Sequence, residues 1–253
     1  MKRLGLIGRK LTHSFSASYF SEKFKNENIS DFSYQLFPLE TLSELRQLIT
    51  SNADLVGFNV TTPFKQAIVN YLDELDPTAV EIGAVNTVCV FRKDNGFHLK
   101  GFNTDVYGFK GAFDFSNCNC QALILGTGGA AQAVSYALRL LGISSKFVSR
   151  NPSDKLMLGY PDLTAGHFKD FRVIINATPS GMYPDIESFP PLPYHFLQPE
   201  NILYDLVYNP EITRFMKFGI EKGATVINGL KMLKLQAEAS WKIWNSMDCI
   251  SCR

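Results

Sequence analysis

Short apolar segments that alternate with helical patterns are the feature that most restricts how this chain can fold. Such alternation is typical of βα units around a parallel sheet. In the first half it predicts strands at residues 4–7, 34–37 and 55–60, and helices at 17–28 and 42–50. Two further predicted strands, 85–92 and 97–102, flank Asn95-Gly96, which favours a hairpin because both residues tolerate positive φ.

The alternation restarts in the second half, with predicted strands at residues 122–125, 146–148, 173–175, 202–206 and 225–227. A helix and a polar connection separate the two halves, so we predict a domain boundary near Thr104. A last helix, 230–245, would lie beyond the second sheet and is expected to fold back onto the first domain. The sequence therefore predicts two α/β domains, 1–103 plus 230–253 and 104–229.

Length and charge limit the classes of function. A chain of 253 residues can form two modest domains, and a net charge of +1 provides no surface for nucleic acid or an anionic membrane. Arg9 and Lys10 interrupt the apolar start before the roughly 7–15 residues of a signal-peptide core. No segment approaches the ~20 apolar residues of a membrane span. We expect a cytoplasmic protein without a nucleic-acid or membrane partner.

The five cysteines do not suggest a metal site or a disulfide framework. Cys118 and Cys120 form a C-x-C pair, which is poor spacing for zinc, and Cys249 and Cys252 form a single terminal C-x-x-C. The number is odd, and a chain of this length does not need disulfides for stability. Free thiols and no bound metal are the expectation.

A glycine-rich turn follows the first predicted strand of the second half. The stretch "ALILGTGGAAQAVSYALRLLG" contains a buried strand, then Gly126-x-Gly128-x-x-Ala131, then a helix of about three turns that ends near Gly142. Gly126 would permit the tight turn, Gly128 a close approach of the backbone to a pyrophosphate, and Ala131 helix-on-strand packing. The pattern predicts a dinucleotide site, although a glycine turn can also be purely structural.

The end of the next predicted strand concerns the choice of nucleotide. It reads "FVSRN", so Ser149, Arg150 and Asn151 stand where NAD enzymes place an acidic residue for the ribose hydroxyls. A guanidinium at that point suits a 2′-phosphate and predicts NADP. The alternative is an ordinary surface arginine.

Polar side chains also gather where the predicted strand 55–60 ends. The stretch "GFNVTTPFK" contains Asn59, Thr61 and Lys65, and open α/β sheets bind ligands beyond the carboxyl ends of their strands. A candidate acid-base partner is Asp105 in "GFNTD". Spacing alone does not show whether Lys65 and Asp105 lie close together.

A series of motifs extends over nearly the whole chain. In order they read "HSFSASYF", "NVTTPFK", "GAVNTV", "GFNTDVYGF", "GTGGAAQA", "NATPSGM", "LVYNPEITRF" and "NGLKMLKLQA". Together they resemble the shikimate dehydrogenase family. The resemblance implies an N-terminal substrate-binding domain, a Rossmann-like NADP-binding domain and reduction of 3-dehydroshikimate to shikimate, a step of chorismate and aromatic amino acid biosynthesis. It is compatible with a monomer or a homodimer.

The resemblance also implies roles for individual residues. Lys65 and Asp105 would form the catalytic pair, and Ser14 and Ser16 would hold the substrate carboxylate. The other substrate-binding residues would be Asn59, Thr61, Asn86, Tyr208 and Gln236. The cofactor-binding residues would be Gly126, Thr127, Gly128, Gly129, Ala130, Ala131, Ser149, Arg150, Asn151, Asn176, Ala177, Thr178, Leu206 and Gly229.

Each of these positions has a structural alternative. Lys65 could be a solvated side chain, and Ser14, Ser16 and Asp105 could be loop or helix-cap residues. Asn86 and Gln236 could satisfy buried backbone groups. The functional interpretation is favoured because the resemblance aligns all of these residues together.

The chain also departs from the family pattern. Asp154, followed by Lys155, stands where the family often has a second basic residue, and Asn228 stands before Gly229 where Asp is common. The chain ends at Arg253, shorter than many relatives. Two other functions therefore stay open: a quinate/shikimate dehydrogenase with relaxed substrate or NAD use, and a non-catalytic metabolite sensor.

Overall fold

The computed structural model describes residues 1–11, 14–94, 96–115, 120–153 and 155–246. The chain forms two compact units: Met1–Thr104 with the residues from Ala237 onward, and Asp105–Gln236. The boundary between the two units falls inside the last helix, at Ala237. The sequence analysis had placed this boundary at residue 230, where the helix begins. An α/β fold with two domains is confirmed.

The first unit contains a mixed sheet with the strand order β2-β1-β3-β5-β6-β4. Strand β1 pairs in parallel with β2 and β3, while β5 is antiparallel to β3 and β6. The predicted hairpin is therefore present, although Asn95 at its turn lies outside the described residues. The strands are Lys2–Gly8, Phe32–Pro38, Leu55–Val60, Glu74–Leu75, Thr87–Lys93 and Gly96–Phe102 (β1–β6), and the α-helices are Phe15–Asn26, Leu45–Ser51 and Pro77–Ile82 (α1–α3).

The second unit is built on an all-parallel sheet with the strand order β12-β11-β10-β7-β8-β9. This is the doubly wound order, in which the chain reverses direction beside the first strand of the unit and leaves a crevice there for a ligand. The strands are Ala122–Leu125, Ser145–Ser149, Leu158–Gly159, Val173–Asn176, Ile202–Asp205 and Thr225–Ile227 (β7–β12), and the α-helices are Asp105–Ala112, Gly129–Leu140, Ala165–Asp170 and Arg214–Glu221 (α4–α7). The last helix, Leu230–Asn245 (α8), begins in the second unit and belongs to the first unit from Ala237 onward.

The later half of α8 packs on the sheet of the first unit in a defined register. Gly57 of β3 lies against the Trp244 indole, which leaves no room for a side chain at Gly57, and Trp244 Nε1 donates to the Val88 carbonyl at 3.0 Å. Ser240, one helical turn earlier, reaches Asn59 at 3.0 Å. Four residues of a helix and two residues of a strand both span about 6–7 Å. Trp244 and Ser240 of α8 can therefore contact Gly57 and Asn59 of β3 at the same time.

The cysteine prediction is wrong in part. Cys89 and Cys120 are each disulfide-bonded rather than free thiols. Number and spacing did not predict this, because disulfide formation depends on proximity in the fold. Cys118, Cys249 and Cys252 lie outside the described residues. Within the described ranges, no group of three or more His, Cys, Asp or Glu side chains could hold a metal ion. No helix in the described part of the chain is long and apolar enough to span a bilayer.

Asp205 is a buried carboxylate at the end of β11. It accepts hydrogen bonds from Thr213 Oγ1 at 2.6 Å, Asn176 Nδ2 at 3.0 Å and the Val207 amide at 3.0 Å. Burial is the larger influence and raises the pKa of Asp205 to about 6, although these hydrogen bonds counteract it. The fold therefore favours the protonated carboxyl, and that contribution to stability is lost as pH rises through about 6.

We expect Asp205→Asn to remove this pH dependence. Between pH 4 and 7 the free energy of unfolding of the wild type should fall by about 2–3 kcal/mol relative to the variant, because the carboxyl ionises only in the wild type. Urea denaturation at a series of pH values measures the difference. The control is Asp170→Asn, which changes an exposed carboxylate of the same unit. Its free energy of unfolding should change with pH in parallel with that of the wild type. A parallel profile for Asp205→Asn would contradict the prediction.

Candidate active site

The substrate side of the candidate site begins where β3 ends. Strand β3 stops at Val60, and the half-buried side chains of Thr61 and Lys65 follow in the turn beyond it. The Lys65 carbonyl accepts a hydrogen bond from the Val85 amide at 2.7 Å, which ties the turn to the segment that carries Asn86. The backbone at Lys65 is thus held by the first unit while the side chain stays partly exposed.

A network of buried polar side chains lies at the end of β3. Asn59 Nδ2 is within hydrogen-bond distance of Ser240 Oγ at 3.0 Å, Thr87 Oγ1 at 3.2 Å and the Asn86 carbonyl at 3.1 Å. Ser240 Oγ in turn lies 2.8 Å from Thr87 Oγ1 and 3.1 Å from Thr104 Oγ1. The amide donors of Asn59 are therefore used within the protein.

Asn86 belongs to the same network. Its Nδ2 donates to Thr104 Oγ1 at 3.0 Å, and its Oδ1 accepts from the Thr104 amide at 2.8 Å. These contacts hold the Asn86 side chain in one orientation. They also restrain Thr104, the residue that immediately precedes Asp105 in the chain.

The start of α1 supplies the two serines implied by the resemblance. Ser14 occupies the N-cap position of a 12-residue helix, but its hydroxyl does not cap the helix, and the first turn has no acidic side chain. The helix N-terminus therefore offers backbone N–H groups and a hydroxyl to an anion. The helix-cap alternative is thus not supported for the Ser14 side chain.

Ser16 is 9% exposed and interacts with the Tyr34 hydroxyl. Tyr34 also donates to Asn59 Oδ1 at 2.9 Å, and burial raises the pKa of Tyr34, so it stays a neutral donor. Tyr34 thus connects Ser16 to the network around Asn59. Sequence reasoning missed both Tyr34 and Ser240, although Ser240 lies four residues after Gln236, on the same face of the helix.

Asp105, Gln236 and Tyr208 belong to the second unit. Asp105 is only 4% exposed and is the first residue of α4, and Tyr208 is half-buried after β11. Gln236 is nearly buried, and its Nε2 donates to the Leu233 carbonyl at 3.0 Å. A side chain at Gly108 would clash with the Met232 carbonyl and approach Gln236 Cβ to 3.0 Å, so Gln236 packs close to the helix that Asp105 begins.

The glycine-rich turn after β7 has the geometry that a dinucleotide requires. Gly126 adopts φ +100°, which favours glycine, and a side chain there would approach Thr178 Cγ2 to 3.0 Å. Gly128 is the N-cap of α5, and the space where its Cβ would lie is open. Ala131 is fully buried against the strand. These features fit a pyrophosphate at the N-terminus of α5.

The loop after β10 is shaped by Asn176. Its Oδ1 accepts hydrogen bonds from the Thr178 amide at 3.1 Å and Thr178 Oγ1 at 2.6 Å, and its Nδ2 donates to Asp205. The Ala177 amide donates to the Leu125 carbonyl at 3.0 Å, which holds the loop beside the glycine-rich turn. The Asn176 side chain therefore orders this loop. Ala177 and Thr178 form the surface of the loop.

Leu206 and Gly229 lie together beyond β11. The Gly229 amide donates to the Val207 carbonyl at 3.0 Å, and a side chain at Gly229 would collide with the Leu206 carbonyl. Asn228 Oδ1 accepts from the Leu230 amide at 3.2 Å. Asn228 thus satisfies the first amide of α8, as an aspartate could.

Arg150 lines an open cleft of about 490 Å³ with Tyr160, Pro161, Leu163, Pro191 and Pro193. Beside it, Ser149 Oγ accepts a hydrogen bond from the Asn151 amide at 3.1 Å, which shapes the turn after β8. Lys155 is exposed. Asp154, the predicted weak point of the phosphate site, lies outside the described residues.

A doubly wound unit with this glycine-rich turn, joined to a second α/β unit with its own polar cluster, defines a two-domain α/β dehydrogenase. A family model for the shikimate dehydrogenase substrate binding domain matches residues 6–88. The chain is 37% identical over 262 residues to the shikimate dehydrogenase (NADP(+)) of Methanococcus maripaludis (strain C6), covering 96% of this chain and 91% of that protein. The chain belongs to the shikimate dehydrogenase family, which confirms the resemblance.

Solved structures agree with this assignment. The crystal structure of shikimate 5-dehydrogenase from Thermus thermophilus, in complex with NADP(H) and shikimate, superposes with a TM-score of 0.81 at 31% identity and covers 97% of this chain and 94% of that chain. The shikimate dehydrogenase structure from Aquifex aeolicus has a TM-score of 0.82 at 30% identity and covers 96% and 92%. The two-domain fold is therefore shared with these enzymes along nearly the whole chain.

Ser240→Ala tests the energetic importance of the network at the end of β3. The variant removes one buried hydroxyl from Asn59, Thr87 and Thr104, so the free energy of unfolding should fall by about 1–3 kcal/mol. Urea denaturation measures the loss. The matched control is Ser246→Ala, whose hydroxyl donates to the Ile243 carbonyl near the end of the same helix. The control should change stability by no more than about 0.5 kcal/mol, and equal losses in both variants would argue against the network.

Proposed function

We propose that this chain catalyses the reversible NADPH-dependent reduction of 3-dehydroshikimate to shikimate, a step of chorismate and aromatic amino acid biosynthesis. The observation that carries this proposal is its membership of the shikimate dehydrogenase family over nearly the full length, with Lys65 and Asp105 retained in the motifs that carry the resemblance. We assign residues 1–103 plus 230–253 to the substrate domain and residues 104–229 to the NADP domain.

We assign the substrate carboxylate to Ser14 and Ser16. The hydroxyl of Ser14 is not used as a helix cap, and the N-terminus of α1 favours a negative charge. Thr61, Asn86, Tyr208 and Gln236 are assigned to the ring hydroxyls and the carboxylate side of the substrate. Asn59 is assigned to the substrate with them, and because its amide donates to the Asn86 carbonyl, it also helps to position Asn86.

The cofactor site is assigned to the second unit. The turn Gly126–Ala131 and the N-terminus of α5 would hold the pyrophosphate, and Arg150 would face the 2′-phosphate. Ser149 and Asn151 would form the adjoining turn, and Ala177, Thr178, Leu206 and Gly229 would border the rest of the nucleotide. When bound, NADPH supplies the hydride.

The chemistry of the chain's own residues concerns the substrate oxygen. Reduction of a ketone leaves an alkoxide, which needs positive charge and a proton as it forms. The Lys65 ammonium would provide both, and its proton would move to the alkoxide oxygen. Asp105 would orient the ammonium and hydrogen-bond the reacting hydroxyl, and in the reverse direction the pair would accept the proton.

We also propose a cytoplasmic location and a monomeric or homodimeric state. A cytoplasmic pool of NADPH is what a reductive biosynthetic step requires.

The test of the proposed function is an absorbance assay at the nicotinamide band with shikimate and NADP. The wild type should turn over, and Lys65→Ala should lower kcat by about 10²–10⁴, the usual effect of a positioned acid-base group, with little change in KM. The matched control is Lys93→Ala, an exposed lysine at the far end of β5 from Thr87, which should keep wild-type kcat. Full turnover by Lys65→Ala would refute its catalytic role.

The same assay separates the alternatives. Substituting quinate for shikimate, and NAD for NADP, should give much lower kcat/KM if the chain is the NADP-dependent shikimate enzyme. Higher activity with quinate and NAD would support the quinate-type alternative. No turnover with any of the four combinations, in a folded protein that binds shikimate, would support the metabolite sensor.

Ser14→Ala combined with Ser16→Ala tests the carboxylate site. KM for shikimate should rise by about ten- to a hundred-fold, because each hydrogen bond to a charged group contributes roughly 1.5–3 kcal/mol and water compensates in part. KM for NADP should stay near the wild-type value. Ser18→Ala with Ser21→Ala, two exposed serines of the same helix, is the control. A parallel rise in both KM values would instead indicate a folding role.

A further inference from the structure

Two neighbouring strands bring Tyr160 and Arg150 side by side. Strands β8 and β9 are parallel, and Ser149, the last residue of β8, is in register with Gly159, the last residue of β9. Arg150 and Tyr160 are the residues that follow them. Neighbouring strands are about 4.8 Å apart, so the two side chains leave the sheet at adjacent points, and both line the cleft of about 490 Å³.

The Tyr160 hydroxyl is not used within the described part of the chain. Tyr160 is 8% exposed, and its ring belongs to the core cluster of the second unit. Its hydroxyl makes no hydrogen bond to any residue of the described ranges, whereas the nearby Tyr194 hydroxyl donates to the Pro190 carbonyl at 2.7 Å. Because Tyr160 lines the cleft, this hydroxyl is available to donate to a ligand group there.

The charge state of the pair favours an anion. Burial raises the pKa of Tyr160 to about 12, while the Arg150 guanidinium acts in the opposite direction. The hydroxyl is thus a neutral donor at physiological pH beside a permanent cation. Neither side chain can act as a strong acceptor there, so the two together suit a group rich in negative oxygen atoms, such as a phosphate.

The rest of the cleft is apolar. Its other lining residues are Pro161, Leu163, Pro191 and Pro193. The volume lies within the roughly 300–1,000 Å³ of small-molecule sites, and walls of proline and leucine suit a flat heteroaromatic ring. A ligand with a planar base at the apolar walls and a phosphate at Arg150 and Tyr160 would fit this cleft. An adenosine that carries a phosphate on its ribose has both groups.

We propose that Tyr160 is a specificity-determining residue, whose hydroxyl binds the 2′-phosphate of NADP together with Arg150 while the adenine lies between the proline walls. The assignment rests on the proposed function, since it concerns the cofactor of that reaction. Arg150 provides charge, and Tyr160 provides a fixed, directional donor. NAD has a hydroxyl in place of the phosphate and cannot use the pair in the same way.

The test is calorimetric titration of the whole chain with adenosine 2′,5′-bisphosphate and with 5′-AMP. Tyr160→Phe keeps the ring and removes the donor, so the Kd of the bisphosphate should rise by about 10-fold or more, as expected for a hydrogen bond to a charged group. The Kd of 5′-AMP should not change. The matched control is Tyr136→Phe, a tyrosine that pairs with Arg139 (guanidinium 4.9 Å from the ring centre) on α5. It should leave both Kd values at the wild-type level.

Arg150→Ala, at an exposed position, provides a second variant with little risk to folding. It should also raise the Kd of the bisphosphate without changing the Kd of 5′-AMP. Tyr160→Phe should have a smaller effect in the Arg150→Ala variant than in the wild type, because the guanidinium and the hydroxyl act on one phosphate. Equal bisphosphate affinity in the wild type and Tyr160→Phe would overturn the proposal. So would an equal loss for both nucleotides, which would mean that the hydroxyl shapes the cleft.

The outcome is independent of turnover. If the wild type prefers the bisphosphate and Tyr160→Phe removes that preference, the inference stands even when shikimate is not oxidised, and the proposed function alone fails. If shikimate is oxidised with NADP but Tyr160→Phe leaves nucleotide selectivity intact, the inference fails and the proposed function stands.

Discussion

The buried polar network at the end of β3 is the constraint on which the substrate side of this protein depends. Asn59, Thr87 and Thr104 are all buried, and Ser240 lies within hydrogen-bond distance of each of them. Buried donors and acceptors that lose a partner cost more than an ordinary hydrogen bond contributes. The later half of α8 must therefore take up one register on β3, and this register is reinforced where Trp244 packs on Gly57. A displaced helix would leave these groups unsatisfied, so side-chain packing and hydrogen bonding favour the same position of the helix.

The second unit depends on a different feature, which is the backbone geometry at its strand ends. Gly126 turns the chain at positive φ, and Asn176 and Asp205 use their side chains to order the loops beside it. Because the strands are parallel, their carboxyl ends meet at one edge, and residues far apart in sequence become neighbours there. Arg150 and Tyr160 are an example, since the register of β8 on β9 brings them together. In the assignment proposed above, the Arg150 guanidinium and the Tyr160 hydroxyl would share the recognition of a phosphate.

Sequence reasoning was successful where the signal is local. The ten predicted strands, the hairpin and the glycine-rich turn follow from short-range patterns, whereas the two-residue strands Glu74–Leu75 and Leu158–Gly159 were not predicted. The ordered motifs led to the shikimate dehydrogenase family, which near-full-length relatives confirm. It failed for Cys89 and Cys120, because disulfide pairing is a matter of distance in the fold. The amide of Asn59 is used inside the first unit. The roles of Asn59 and of the other site residues stay predictions.

The amino-acid sequence by itself determined the α/β class, the two-part organisation and the family, because periodicity, turn residues and motif order are properties of neighbouring residues. Only the tertiary structure decided which polar side chains are used within the protein and which are left for a ligand. Tyr34 and Tyr160 have no sequence signal that separates them from ordinary core or surface residues, and Ser240 has only its spacing of four residues from Gln236. Their importance comes from partners 25 or more residues away for Tyr34 and Ser240, and from the register of two strands for Tyr160. Hydrogen bonding acts over a few ångströms, and only the fold sets such distances between remote residues.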